Sequence, residues 1–254
     1  MSEMTKDIEQ YLQTKFGNSI GESNERQLYQ ALMAETRNRL LKKRYDYTKK
    51  LKESGQKQAY YMSMEFLVGR TLRNNLFNLG LEEEIRSFLA EKNFDLDKIY
   101  DMEPDPGLGN GGLGRLASCY LDALTSNDYP VTGFSILYEF GIFKQVIANG
   151  WQQEYPDNWL GMGQYGLVHR SDEEIEVKFY GKTQEHWTKD GLKVTYEDYT
   201  SIIAEPYDLM ISGYKSEAVN VLRLWKSKAD AGFDMKLFER GEYAKSSESE
   251  AIAE

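Results

Sequence analysis

Apolar and polar positions follow one period in the first half of the chain and another in the second, and the change falls near residue 130. Before it the spacing is helical. Residues 5–15 and 25–51 predict helices; in the second, Leu28, Leu32, Thr36, Arg39 and Leu40 roughly follow the 3.6-residue period with charges between them. The stretch 59–66 is nearly continuously apolar and predicts a short strand covered on both faces. Residues 71–78 and 81–91 predict further helices, Glu103-Pro104-Asp105-Pro106 a turn, and 116–126 a helix that follows a glycine cluster. After residue 130 the texture is that of strands. The segments 131–138 and 142–148 flank Glu139-Phe140-Gly141, which predicts a sharp bend or hairpin. Segments 167–170, 175–180, 186–189, 192–196 and 201–206 predict an antiparallel meander whose clearest turn is Lys189-Asp190-Gly191. Residues 219–225 add a strand with apolar alternation. With no repeat and no linker in view, the pattern predicts a single α/β domain over 1–254 with an antiparallel β extension.

The chain ends on Ser247-Glu248-Ser249-Glu250, a capping-box pattern followed by Ala251, Ile252 and Ala253. It predicts a helix start with little helix behind it, read either as an acidic tail or as the point where a longer polypeptide was cut.

Composition narrows the function classes. Apolar residues make up 41% of the chain, enough for a globular core, and no window is long and apolar enough for a membrane span. Residues Met1–Asp7 lack the layout of a secretory signal, and the single cysteine, Cys119, predicts a buried thiol in a reducing compartment. The cytoplasm is the expected address. A net charge of −10 argues against binding nucleic acid. The one basic stretch, Lys42 to Lys57, reads as a solvated helix face or an anion site. His169 and His186 lie apart, read as ordinary, partly exposed strand residues, and form no zinc motif with one cysteine, so no metal is expected.

The densest chemical signal is Gly107-Leu108-Gly109-Asn110-Gly111-Gly112-Leu113-Gly114-Arg115. Glycines allow positive φ and close approach to a ligand. The helix behind them aims free N–H groups and a positive dipole end at the loop, which suits phosphate. Asn110 and Arg115 add donors. A dinucleotide site needs a strand leading into the loop, whereas Met102-Glu103-Pro104-Asp105-Pro106 is a poor inner strand. A Walker A loop needs Gly-Lys-Ser/Thr, and Gly114-Arg115-Leu116 does not supply it.

Tyr60-Tyr61-Met62-Ser63-Met64-Glu65-Phe66, Gly69-Arg70-Thr71-Leu72 and Glu103-Pro104-Asp105 leading to the glycine loop resemble the N-terminal part of the α-glucan (glycogen, starch, maltodextrin) phosphorylases. Tyr138-Glu139-Phe140-Gly141-Ile142-Phe143, Gly150-Trp151-Gln152, Asp157-Asn158-Trp159-Leu160 and Val221-Leu222-Arg223-Leu224-Trp225 continue the resemblance in order, from about Leu28 to Tyr243.

The resemblance implies the N-terminal Rossmann-like domain of a GT-B type glycosyltransferase. Its activity would be phosphorolysis of α-1,4-glucan by inorganic phosphate to glucose 1-phosphate, with pyridoxal 5′-phosphate as cofactor, in a homodimer. By the family pattern, Gly111 and Gly112 offer backbone N–H groups to cofactor and substrate phosphates, and Leu113 lies beside the reacting glucose. Asn110, Gly114 and Arg115 complete the phosphate loop, and Glu65 orders the hydrogen bonds around the phosphates. A carboxylate there needs a proton or a cation from elsewhere. The Thr-Gly-Asn-Met-Lys stretch that carries the cofactor in the family does not occur among these residues, so the chain is expected to lack the C-terminal cofactor-lysine domain and to be inactive alone.

Two other readings compete. A non-catalytic glucan- or partner-binding module would use the 13% aromatic content, most of which belongs in a core. A glycoside hydrolase would use two carboxylates, but no spacing singles out a pair.

Overall fold

A computed structural model describes residues 2–230 and 235–253, and the chain divides into two compact units. The first comprises residues 1–168 and 208–224, the second 169–207 and 225–254.

In the first unit, α1 (Glu3–Phe16) starts at Ser2, whose hydroxyl accepts from the Thr5 N–H, and stops at Gly17 with φ 72°. Met4, Ile8 and Leu12 recur every four residues and are buried. The 30-residue α2 (Glu25–Ser54) opens with a capping box in which Asn24 and Gln27 satisfy each other's backbone N–H. Its Leu28 and Leu32 lie in a core with Ile8 and Leu12 of α1. Strand β1 (Ala59–Met62) is followed by α3 (Leu72–Asn78), α4 (Glu82–Ala90), α5 (Leu96–Tyr100) and α6 (Gly112–Ser126) before β2 (Val131–Ile136). Leu72, Leu76, Ile85, Leu89 and Ile99 from α3, α4 and α5 join the same core.

Strands β1 and β2 pair in parallel with Ala59 opposite Val131 and Met62 opposite Phe134. The helices between them are the crossover that a parallel pair requires. The remaining elements are β3 (Lys144–Ala148), β4 (Trp151–Tyr155), α7 (Leu160–Gly163), β5 (Leu167–His169), β6 (Ile175–Phe179), β7 (Lys182–Thr188), β8 (Gly191–Glu197), β9 (Thr200–Ser212) and β10 (Val219–Ala229), then the short helices α8 (Met235–Glu239), α9 (Tyr243–Ser246) and α10 (Glu248–Ala253). The main sheet runs β1-β2-β10-β9-β5, with β1 at its edge.

In the second unit, β6 pairs antiparallel with the start of β9, Ile175 opposite Ala204. The β7–β8 hairpin turns at Lys189-Asp190-Gly191, with Gly191 at φ 118°. Among this unit's described residues only Glu205, Pro206 and Ser246 are buried, and no large apolar side chain is.

Several expectations change. The 59–66 segment is not a covered inner strand: Tyr60 and Met62 of β1 are exposed at a sheet edge. Of the two readings of Glu139-Phe140-Gly141 the bend holds, at Glu139 and Phe140, and the hairpin does not: β3 pairs with β4 across Asn149-Gly150, both at positive φ, because that dipeptide is the better turn. The meander is a hairpin inserted between β6 and β9, not a continuous sheet. Cys119 is exposed on α6, not buried, because Ala117, Ser118 and Leu121 take the inner face. The basic stretch is only partly solvated: Lys43 and Arg44 donate to the carbonyls of Ser216 and Val219 at 2.7 and 2.9 Å, and Lys50 pairs with Glu217. The capping residue Ser247 precedes α10, whereas the Ile252 side chain, like those of Glu248 and Ser249, lies outside the described residues. Among the described residues no helix is long and apolar enough to cross a membrane.

Candidate functional site

Helix α6 begins inside the glycine cluster rather than after it, with Gly112 its first residue and Gly111 its N-cap. Gly111 is extended, at φ −153°, and gives no side-chain cap. The first turn closes when Arg115 N–H donates to Gly111 O at 3.0 Å. Among the described residues, no protein acceptor takes the N–H of Gly111, Gly112, Leu113 or Gly114. Four donors at a helix N-terminus, beside the positive end of a 15-residue helix, make a binding place for an anion.

None of the five loop glycines has a positive φ, so left-handed geometry is not what requires them. They divide by what stands beside them. A Cβ on Gly107 would meet Gly141 Cα and Trp159 Cδ1, both at 2.7 Å, and one on Gly109 would meet Leu67 N at 3.0 Å. A Cβ on Gly114 would meet Glu65 Cβ at 3.0 Å and Leu67 N at 3.1 Å. Gly107 lets the loop lie against Gly141 and Trp159, and Gly109 and Gly114 let it lie against the chain that follows β1. Two hydrogen bonds hold that contact: Phe66 N–H donates to Leu108 O at 2.8 Å and Leu67 N–H to Gly114 O at 3.0 Å. Gly111 and Gly112 have nothing within 4 Å of a built Cβ. Their open side is where a ligand can reach the backbone.

Glu65 is half-buried beneath the loop and its Oε2 accepts the Asn110 N–H at 3.3 Å. Among the described residues no lysine or arginine pairs with it. Its visible task is to hold the loop. Leu113 is 61% exposed, and Asn110 and Arg115 are exposed but line different cavities, Asn110 with Glu65 and Tyr138, Arg115 with Arg70 and Ser118. Alongside lies a cleft of about 550 Å³ lined by residues including Glu65, Asn110, Tyr138, Phe140 and Asp157. Carboxylates and aromatic rings together suit a polyhydroxylated ligand: oxygens accept from hydroxyls, and ring faces cover C–H surface.

Glu103 is a residue whose role the sequence did not disclose. It is buried, and its carboxylate accepts from Thr71 N–H at 2.6 Å, Thr71 Oγ1 at 2.9 Å and Leu72 N–H at 3.0 Å. It thus satisfies the start of α3 from 31 residues away. Burial pushes its pKa up, against the lowering effect of those three hydrogen bonds. The Asp-Asn-Trp segment is also structural in what it touches: Gly141 N–H donates to Asp157 O at 2.9 Å and Trp159 Nε1 to Tyr138 O at 3.0 Å. Arg223 forms a forked pair with buried Asp208 at 2.7 and 2.9 Å.

The family model described as carbohydrate phosphorylase matches residues 89–254. The chain is similar to the glycogen phosphorylase of Chlamydia pneumoniae, 43% identical over 199 residues, which is 78% of this chain and 24% of that protein. It is 40% identical to that of Synechocystis over 92% of its length and 27% of the relative's. With the human brain form it shares 44% identity over 75% of its length and 22% of the relative's. The chain thus spans about a quarter of the length of the curated relatives it matches.

Proposed function

The chain belongs to the carbohydrate phosphorylase family, and from that premise we propose that it is the N-terminal portion of an α-1,4-glucan phosphorylase dependent on pyridoxal 5′-phosphate. The complete enzyme would split the terminal glucan bond with inorganic phosphate, giving glucose 1-phosphate and a shortened glucan. The observation that carries this reading is the open start of α6, where Gly111 and Gly112 leave backbone donors unpartnered and uncovered.

The residues present fit a phosphate-bearing cofactor, since a cradle of free N–H groups with no side chain in the way suits a phosphate and offers little to an apolar group. When bound, pyridoxal phosphate supplies its phosphate group, rather than its imine, to proton transfer at the substrate phosphate. The chain's own part is electrostatic. Amides of Gly111 and Gly112 are already oriented, so charge developing on phosphate oxygen is met by donors that need not reorganise. Gly114 contributes its N–H while its Cα packs on Glu65 and Leu67, and Arg115 adds positive charge one residue on. Leu113 covers the apolar side of the reacting sugar. Glu65 fixes Asn110 with one oxygen and keeps the other for the hydrogen bonds around the phosphates.

In this reading residues 1–254 belong to one N-terminal, Rossmann-like domain of a GT-B arrangement, which the parallel β1–helices–β2 unit supports. A second domain brings the cofactor lysine, and the enzyme works as a cytoplasmic homodimer. The isolated chain, without the lysine, should hold no pyridoxal phosphate covalently and release no glucose 1-phosphate from glucan and phosphate. Borohydride reduction followed by mass spectrometry, with a phosphorolysis assay, measures both. A pyridoxyl-lysine on this chain together with turnover would falsify the reading.

A further inference from the structure

We infer that the second unit carries a site for a divalent transition-metal cation of the zinc class, built from His169, Glu174 and Glu205. One ligand atom from each of the three lies within 4.8 Å of the others. His169 Nε2 and Glu174 Oε1 are 3.6 Å apart. Two ligands at about 2.1 Å from one tetrahedral metal stand about 3.4 Å apart, so this pair is already at coordinating separation. Glu205 closes the remaining distance by a side-chain adjustment.

The donor set, one imidazole and two carboxylates, is that of an open zinc site with room for water. The imidazole plane is held: it stacks on Tyr207 with centroids 4.5 Å apart and planes 11° apart. Negative charge is in excess, because Glu205 is buried and its cationic partner among the described residues, Lys228, sits 3.0 Å away with its side chain half in solvent. Glu174 faces His169 at 3.6 Å and shares the field of the same Lys228 ammonium. A divalent cation would take over both carboxylates and release the Lys228 ammonium to water.

The placement gives the cation a purpose. His169 ends β5, Glu174 leads into β6 and Glu205 lies on β9, so one ion would clip three segments of a unit that buries no large apolar side chain among its described residues. Units without a core of their own are where metal staples contribute most to folding. The sequence carries no motif for it because the ligands come from positions 169, 174 and 205 and not from a short spacing.

The experiment uses the 254-residue chain, stripped with a chelator and titrated calorimetrically with zinc chloride. Uptake should saturate at one Zn²⁺ per chain, with His169→Ala and Glu205→Gln each weakening it at least about 100-fold, since even outer-shell partners cost about 10–100-fold. Lys228→Met should tighten binding about fivefold, by removing a competing ion pair of surface strength. His186→Ala should change nothing. If a ligand variant fails to fold, the native chain still decides: Zn²⁺ should shift the imidazole resonances of His169 and leave those of His186, the only other histidine, in place. No saturable uptake, uptake unchanged by His169→Ala, or a shift at His186 alone would overturn the assignment.

Discussion

At the scale of single residues, the glycine loop separates two demands that look identical in the sequence. Gly107, Gly109 and Gly114 are packing residues, and Gly111 and Gly112 are open ones, yet all five read alike as letters because the distinction depends on what distant segments, the chain after β1 and residues 141 and 159, bring against them. The cluster and the helix behind it were legible; the reason for each glycine was not, and positive φ, the usual reason, applies to none of them. The difference is measurable in the isolated chain. Gly114→Ala should destabilise it by about 1–3 kcal/mol, the cost of overpacking against Glu65 Cβ and Leu67 N at 3.0 and 3.1 Å. Gly112→Ala should be neutral or stabilising by up to about 1 kcal/mol, since alanine is the better helix former and meets nothing. Urea unfolding of both variants decides this; equal losses would remove the division. Glu103 gives a second test. Its folded pKa is raised above the ordinary 4.5, so the folded chain holds this proton more tightly than the unfolded one. Stability from it is therefore greatest at low pH and is lost as pH rises from about 4.5 through the raised value. The carboxylates of Asp97 and Asp128, whose pKa values are lowered, slope the other way. The contribution must be read as the native chain minus Glu103→Gln between pH 4 and 8. That difference should fall with rising pH, and a difference that rises instead would show that the three hydrogen bonds outweigh burial.

At the scale of elements, helices were the legible part. The predicted 25–51 helix is α2, and the predicted 81–91 helix is α4, because apolar spacing and capping residues are local signals. The strands were legible as strands but not in their partners, since pairing is decided by residues far apart. Strand β1 is the clearest case. A nearly continuous apolar run predicts cover on both faces, yet Tyr60, Met62 and Met64 are 66%, 82% and 64% exposed. Helix α6, whose ring Tyr120 packs at 6.0 Å from Tyr61 of β1, likewise exposes Leu113, Leu116 and Tyr120. A parallel strand with bare apolar side chains and an unpaired edge is an unusual thing to leave in water. The run is written for a covered strand, and within the proposed function the cover is polypeptide from the rest of the enzyme. Until it is covered, copies of the chain are expected to adhere at this edge. Met62→Lys, a charge on the edge, should lower self-association of the isolated chain, measured by sedimentation at matched concentration. The same change in the complete enzyme should reduce folded yield, because the charge would then be buried unpaired. Unchanged association would show that β1 is not the adhesive edge.

At the scale of the whole molecule, the two units differ in what holds them. The first has a core of fully buried side chains, among them Ile8, Leu12, Leu28, Leu32, Leu72, Leu76 and Leu89, drawn from five consecutive helices with Ile99. The second rests on strand pairing and exposed ion pairs such as Lys182–Asp198, with side chains 71% and 73% exposed, and pairs of that kind contribute little. Nothing in the composition foretold this, because apolar residues are present in both units; Phe179, Trp187, Val194 and Tyr196 are simply on the outside. Cooperative unfolding of one body is therefore not expected of the isolated chain. Amide hydrogen exchange should find the backbone of 28–40 protected at the level of global unfolding. The β7–β8 hairpin, residues 182–197, should open locally and exchange at least about 100-fold faster, a gap of about 2.7 kcal/mol in opening free energy. In the complete enzyme the same hairpin should gain protection wherever the added polypeptide covers Trp187 and Val194. If residues 182–197 exchange as slowly as 28–40 in the isolated chain, the second unit has a source of stability that its exposed side chains do not account for. The exposed rings would then be ordinary surface rather than a face awaiting its cover.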